Sequence, residues 1–102
     1  MSYNISIIIP VFNEEPSIEE TINKIKNVMG KIKFGYEIIV INDGSVDNSR
    51  YILEKIRGIR LINHNYNKGY GASLKTGLNN AKYNLILIVD ADGTYSPEDI
   101  PQ

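Results

Sequence analysis

The chain has 102 residues and no cysteine, and its 11 Lys and Arg against 12 Asp and Glu give a formal net charge of -1. That length suits one compact domain and is short for an enzyme that holds two substrates, while the charge balance provides no positive field to draw in nucleic acid or anionic lipid. No apolar run approaches the roughly 20 residues of a membrane span, and Met1 to Asn4 carries no positive charge of the kind that opens a secretory signal, so a cytoplasmic location is expected.

In chain order, Ile5 to Ile9 is the first of four short apolar runs rich in isoleucine, valine or leucine. Ile18, Ile22, Ile25 and Met29 follow at helical spacing, and Gly30 is expected to end that helix. The run Glu37 to Ile41 comes next, then a second helical stripe of Val46, Ile52, Leu53 and Ile56, closed by Gly58. After Ile59 to Ile62, a third helix carries Leu74, Leu78 and Ala81 on one face, with Gly71 and Gly77 suggesting close approach of its backbone to something else. Leu85 to Val89 completes a β-α-β-α-β-α-β order. Three of the runs lack polar alternation, so they read as parallel strands covered on both sides in a three-layer α/β/α, Rossmann-like sheet. Ser96-Pro97-Glu98-Asp99 has a capping residue, a proline and two acids in the order that starts a helix, yet only three residues follow. The expectation is a truncated fragment whose exposed sheet edge favours self-association.

Ligands of such sheets sit beyond the carboxyl ends of the strands, and the unusual polar chemistry of this chain is concentrated there. Asp90-Ala91-Asp92-Gly93 follows the fourth run. Two carboxylates two residues apart at a turn can share Mg2+ or Mn2+, with water and phosphate oxygens completing the shell, or they can be turn formers and helix caps. After the second run stands Asn42-Asp43-Gly44-Ser45-Val46-Asp47-Asn48-Ser49. Asp43 is placed to accept from a base N–H or a ribose hydroxyl, whereas Ser45, Asp47 and Ser49 read as turn and cap residues. In the first loop Val11 and Phe12 can border a base or sugar and Glu14 can accept from a nucleoside, although Pro10 also stops a strand and Glu14 and Glu15 also suit a helix amino terminus. Asn67-Lys68-Gly69-Tyr70-Gly71-Ala72-Ser73-Leu74 fits neither the dinucleotide fingerprint nor a P-loop, and leaves Lys68 or Lys75 to screen phosphate. His64 has no partner pattern and reads as a solvated loop residue, and the scattered tyrosines form no stacking ladder.

Together these loops resemble the family 2 glycosyltransferases of the GT-A fold, especially the polyprenyl-phosphate branch that includes dolichol-phosphate mannosyltransferases. The matching stretches are Ile9 to Glu15, Val40 to Ser49, Asn67 to Leu78 and Asp90 to Gly93, spread over the whole chain. The resemblance implies that residues 1–102 are the amino-terminal, nucleotide-sugar-binding portion of a glycosyltransferase domain. It implies nucleotide contact at Pro10, Val11, Phe12, Glu14, Asp43, Asp90, Ala91 and Asp92, to which the loop reading adds Lys68 as a cation facing phosphate, and metal ligation by Asp90 and Asp92. It further implies inverting transfer of a hexose from a UDP- or GDP-sugar to a polyprenyl phosphate or a glycan, with the parent protein at the cytoplasmic face of a membrane. Acceptor-side catalytic residues are expected beyond Gln102, so the isolated chain is expected to be inactive. The family commonly has Asp where this chain has Asn42, an exchange expected to weaken nucleotide contact. The competing readings are a non-catalytic nucleotide-binding remnant and a sugar-phosphate nucleotidyltransferase. The second expects a basic, glycine-rich first loop where Phe12-Asn13-Glu14-Glu15 stands.

Overall fold

The computed structural model describes residues 4–32 and 34–92. The Asp90 turn is therefore seen as far as Asp92, while Gly93 and the helix-start signal at Ser96 to Asp99 lie outside the described residues. Four strands form, β1 (Asn4–Val11), β2 (Gly35–Asp43), β3 (Arg60–His64) and β4 (Leu85–Ile88), alternating with helices α1 (Ile18–Lys31), α2 (Ser49–Glu54) and α3 (Tyr70–Asn80). The sheet order is β3-β2-β1-β4 and every pair is parallel. No helix among the described residues is long and apolar enough to cross a membrane.

This order follows from the hand of the crossovers. The chain steps outward from β1 to β2 to β3, then returns past both to pair β4 with the free side of β1. A right-handed connection that reverses direction must cross on the opposite face. Accordingly, Ile7, Ile9, Val11, Ile38 and Val40 pack with Ile18, Ile22, Ile25, Met29 and Leu53 of α1 and α2. On the other face Ile8, Ile39 and Ile41 meet Leu74 and Ala81 at α3. Burying each of these branched side chains stabilises the fold by about 1.5–3 kcal/mol, and because both faces of β1 and β2 are covered, their sequences show no polar alternation.

The helices differ from expectation where local pattern competes with packing. Gly30 does not end α1, which continues through Lys31 to an extended Ile32 whose amide donates to Met29 O at 3.3 Å. The apolar stripe ends at Met29, but the hydrogen-bond ladder needs no buried side chain to carry it two residues further, to Lys31. Val46 is 87% exposed and lies outside α2, whose packing comes from Ile52 and Leu53, with Ile56 joining the core just past the helix end. In α3 the buried positions are Ser73 and Gly77, while Leu78 faces outward. A Cβ on Gly77 would stand 2.5 Å from Ile8 Cγ2 and 3.1 Å from Ile41 Cδ1, so the backbone there lies directly on the sheet. That contact rolls the small residues of the helix inward and turns Leu78 away.

β4 is less covered than its composition suggests, because α3 sits over β1 and β2, and Leu85 and Ile88 remain exposed. At the amino-terminal end of the sheet a polar network ties the layers together. Glu37 accepts from Ser6 Oγ at 2.6 Å, Lys82 N at 2.7 Å and Arg60 Nη1 at 3.0 Å, and Ser6 Oγ in turn accepts from Tyr83 N at 3.2 Å. Burial alone would raise the Glu37 carboxyl, but these donors outweigh it and hold the group below the usual range.

Candidate functional site

Strand order reverses between β1 and β4, and a cleft of about 510 Å³ opens beyond their carboxyl ends. Pro10, Val11, Phe12 and Glu14 border it from the end of β1, Asp43 from the end of β2, and Asp90, Ala91 and Asp92 from beyond β4. Asn67, Gly69, Tyr70 and Ser73, around the start of α3, close the fourth side. The structure thus brings together every residue expected at a nucleotide site except Lys68. The Lys68 ammonium lies 5.4 Å from the centre of the Tyr66 ring, and neither it nor Lys75 borders the cleft.

The first two loops brace each other. Asn13, at φ 52°, turns its side chain so that Oδ1 accepts from Val46 N at 2.8 Å, while its own amide donates to Ser45 Oγ at 3.0 Å. Ser49 Oγ accepts from Glu14 N at 3.1 Å and Asp47 Oδ2 from Glu15 N at 3.2 Å. Asp47 Oδ1 also accepts from Ser49 N at 2.9 Å, a local turn just ahead of α2, whose N-cap is Asn48 and has no side-chain cap. Ser45, Asp47 and Ser49 therefore do more than terminate local structure, since they fix the β1 loop against the β2 loop and hold Phe12 and Glu14 at the rim.

Asp43 is 4% exposed and its carboxylate is held by two backbone amides and a histidine. Its Oδ1 accepts from Lys68 N at 2.9 Å and its Oδ2 from Gly69 N at 2.9 Å, so the carboxylate organises the loop that leads into α3. Gly44, at φ 70°, lets that loop pass close by, because a Cβ there would stand 2.5 Å from the backbone of Tyr66 and Asn67. His64 is not a solvated loop residue. It ends β3, with Nδ1 2.8 Å from Asp43 Oδ1 and Nε2 2.9 Å from Thr76 Oγ1. Burial pushes the Asp43 carboxyl upward, but the Lys68 amide, His64 and the Gly69 amide together draw it below its ordinary value.

The opposite wall has a different character. Burial raises the Glu14 carboxyl and the nearby charge of Asp92 raises it further, with only a 3.5 Å contact from Ser17 Oγ to offset them. The one hydroxyl proton of Ser17 goes to the nearer acceptor, Ala91 O at 2.5 Å, joining the start of α1 to the turn after β4. Tyr70 OH donates to Asp90 Oδ1 at 3.3 Å, and burial followed by that carboxylate raises the phenol. Among the described residues no three His, Cys, Asp or Glu side chains form a ready-made metal cluster. Hard carboxylate oxygens that repel one another are nonetheless the donor chemistry that suits Mg2+ or Mn2+.

The structure also corrects the reading of Asn42. It is 2% exposed, borders no part of the cleft, and donates through Nδ2 to Asn63 Oδ1 at 2.9 Å across the β2–β3 pair. The amide at this position ties β2 to β3 through the side chain of its cross-strand partner and does not reach the cleft. Sequence reasoning missed Tyr70, Ser73 and His64 as site residues. His64 stands at the end of a strand, which was the available signal, but a lone histidine discloses no partner until β2 and α3 are in place. Ser73 is 1% exposed and its Oγ has no hydrogen-bond partner among the described residues, leaving a polar group against the cleft floor.

A three-layer parallel α/β sheet with an acidic cleft at its switch point is the arrangement in which ligands sit across the strand ends. The sequence profile of glycosyl transferase family 2 matches residues 6–102, and the chain belongs to that family. Undecaprenyl-phosphate 4-deoxy-4-formamido-L-arabinose transferase of Aeromonas hydrophila is 33% identical over 96% of this chain and 32% of its own length. S. aureus TarS 1-349, solved in complex with UDP-GlcNAc, is 29% identical with a TM-score of 0.72, over 87% of this chain and 26% of that one. Glucosyl-3-phosphoglycerate synthase from Mycobacterium tuberculosis, solved with Mn2+, UDP and phosphoglyceric acid, shares the fold at 24% identity and a TM-score of 0.69, over 87% of this chain and 33% of that one. The chain spans about 30% of the length of the curated relatives it matches.

Proposed function

We propose that the cleft binds the nucleoside diphosphate part of a sugar nucleotide, and that residues 1–102 are the donor-binding portion of a protein that transfers the sugar to a polyprenyl phosphate or a glycan. The observation that carries this reading is the meeting of Phe12, Glu14, Asp43, Asp90 and Asp92 around one cleft at the switch point. Asp43 and Glu14 face the nucleoside, Phe12 borders its base or ribose, and Ala91 lies against it. Asp90 and Asp92 would hold Mg2+ or Mn2+, with water and diphosphate oxygens completing the shell. When bound, such an ion neutralises charge growing on the departing diphosphate.

In the transfer itself the acceptor oxygen forms a bond to the anomeric carbon on the side opposite the diphosphate. The bond from that carbon to phosphate oxygen breaks, the diphosphate leaves with the electron pair, and configuration inverts. A phosphate acceptor arrives already anionic and needs little help from a base. The residues of this chain bind and orient the donor, and the chain alone is expected to bind without turnover. The test is thermal protection of wild type and D92N by UDP or GDP, each with and without Mn2+. A nucleotide-dependent rise in Tm that needs Mn2+ in wild type and shrinks in D92N is the expected result. Equal shifts in the two proteins would remove the metal role, and no shift with either nucleotide would remove the binding site.

A further inference from the structure

We infer that His64 sets which base the cleft accepts: by occupying one oxygen of Asp43, it leaves that carboxylate a single open acceptor position and so favours uracil over guanine. The inference rests on the nucleotide reading proposed above and goes beyond it to a residue that borders no ligand.

A carboxylate offers about four lone-pair positions, two on each oxygen. On Asp43, Oδ1 is filled by His64 Nδ1 at 2.8 Å and Lys68 N at 2.9 Å, and Oδ2 is half filled by Gly69 N at 2.9 Å. Among the described residues one position on Oδ2 remains, on a side chain that borders the cleft. The edge of guanine carries two adjacent donors, N1–H and the exocyclic N2–H, which a carboxylate takes with one oxygen each. Uracil carries one donor, N3–H, between two carbonyls. A guanine fork on Asp43 would have to displace either the His64 ring or the Lys68 amide, and a uracil N–H displaces neither.

The ring is held so that it cannot yield. Asp43 is kept ionised by its donors and can only accept, so the proton between the two groups belongs to Nδ1. At the far side Nε2 lies 2.9 Å from Thr76 Oγ1, which also reaches Ala72 O at 3.0 Å. The Thr76 hydroxyl accepts from Nε2–H when the ring is charged, and turns to donate to Nε2 when it is neutral. Either way Nδ1–H stays on Asp43. Both side chains are closed to solvent, at 7% exposure for His64 and 5% for Asp43, so water does not compete for these positions. His64 is thus a positioning residue that acts through Asp43.

The test compares calorimetric affinities for UDP and GDP, with Mn2+ present, in wild type, H64L and H64N. Wild type is expected to favour UDP by roughly tenfold or more, the order of one hydrogen bond. H64L opens a second acceptor position on Oδ1, so its GDP affinity should rise and the preference shrink several-fold. H64N places an amide N–H where Nδ1 stood and should restore the wild-type preference, which a purely structural role for the ring does not predict. Imidazole nitrogen NMR of the wild-type chain should show the ring proton on Nδ1, facing Asp43. Equal affinity of wild type for both nucleotides, an unchanged preference in folded H64L, or an unprotonated Nδ1 would each overturn the inference. Failure of both nucleotides to bind wild type brings down the nucleotide reading itself, whereas binding with an unchanged preference in H64L brings down this inference alone.

Discussion

The two ends of the sheet carry similar acids in opposite conditions. At the amino-terminal end Glu37 is surrounded by donors from β1, β3 and the segment after α3, and its carboxyl is held low. At the carboxyl-terminal end Glu14 faces Asp92 with little to compensate, and its carboxyl is held high. A closed hydrogen-bond network stabilises a fold, while like charges left facing one another cost stability and persist where a ligand can relieve them. Asp43 stands between these cases, since its donors fix a loop while it keeps one face on the cleft.

The largest effect that tests this contrast is expected from E37A. Removing the shared acceptor strands the Ser6 hydroxyl and Lys82 N, while Arg60 keeps Asn80 O at 2.7 Å, and urea unfolding should show a loss of about 2–4 kcal/mol. A loss under about 0.5 kcal/mol would make the network ornamental. D43N comes next, because an amide nitrogen would face backbone N–H groups where an oxygen is needed. It should cost about 1–3 kcal/mol and also abolish protection by nucleotide, a second readout that E37A should leave intact in whatever protein remains folded.

Acid titration separates the two ends by sign. Glu37 and Asp43 have lowered folded values, so the stability they contribute is present above their ordinary range and is lost as pH falls through those lower values. Glu14 has a raised folded value, so its contribution is present in acid and lost as pH rises through that value. Urea midpoints followed from about pH 7 to 3 should fall less steeply below about pH 4 in E37Q than in wild type, because part of the titrating stability is already absent. The smallest expected effect is E14Q, which removes the repulsion with Asp92. It should gain up to about 1 kcal/mol at neutral pH while reducing Mn2+-dependent protection by nucleotide. A destabilised E14Q would erase the distinction between the two ends.

Much of this was legible in advance because its causes are local. Isoleucine-rich runs specify buried strands, the Ile18 to Met29 stripe specifies a helix face, and acids after those runs mark the ligand end of a parallel sheet. The clustering of Phe12, Glu14, Asp43, Asp90 and Asp92 follows from that rule together with the resemblance. Helix limits and orientation were less legible, since the close approach of Gly77 to Ile8, and not the apolar spacing of Leu74 and Leu78, sets the roll of α3.

What the sequence alone determined is the order of elements, the layered parallel sheet, the family and the loops that meet at its crest, because periodicity and strand-end chemistry are written in neighbouring residues. Tertiary structure decided that His64 and Thr76 back Asp43, that Asn42 serves strand pairing, and that Tyr70 reaches Asp90. Those pairs are separated by 12 to 21 residues along the chain, and a hydrogen bond of about 3 Å between such partners exists only once crossovers and packing have set the distance.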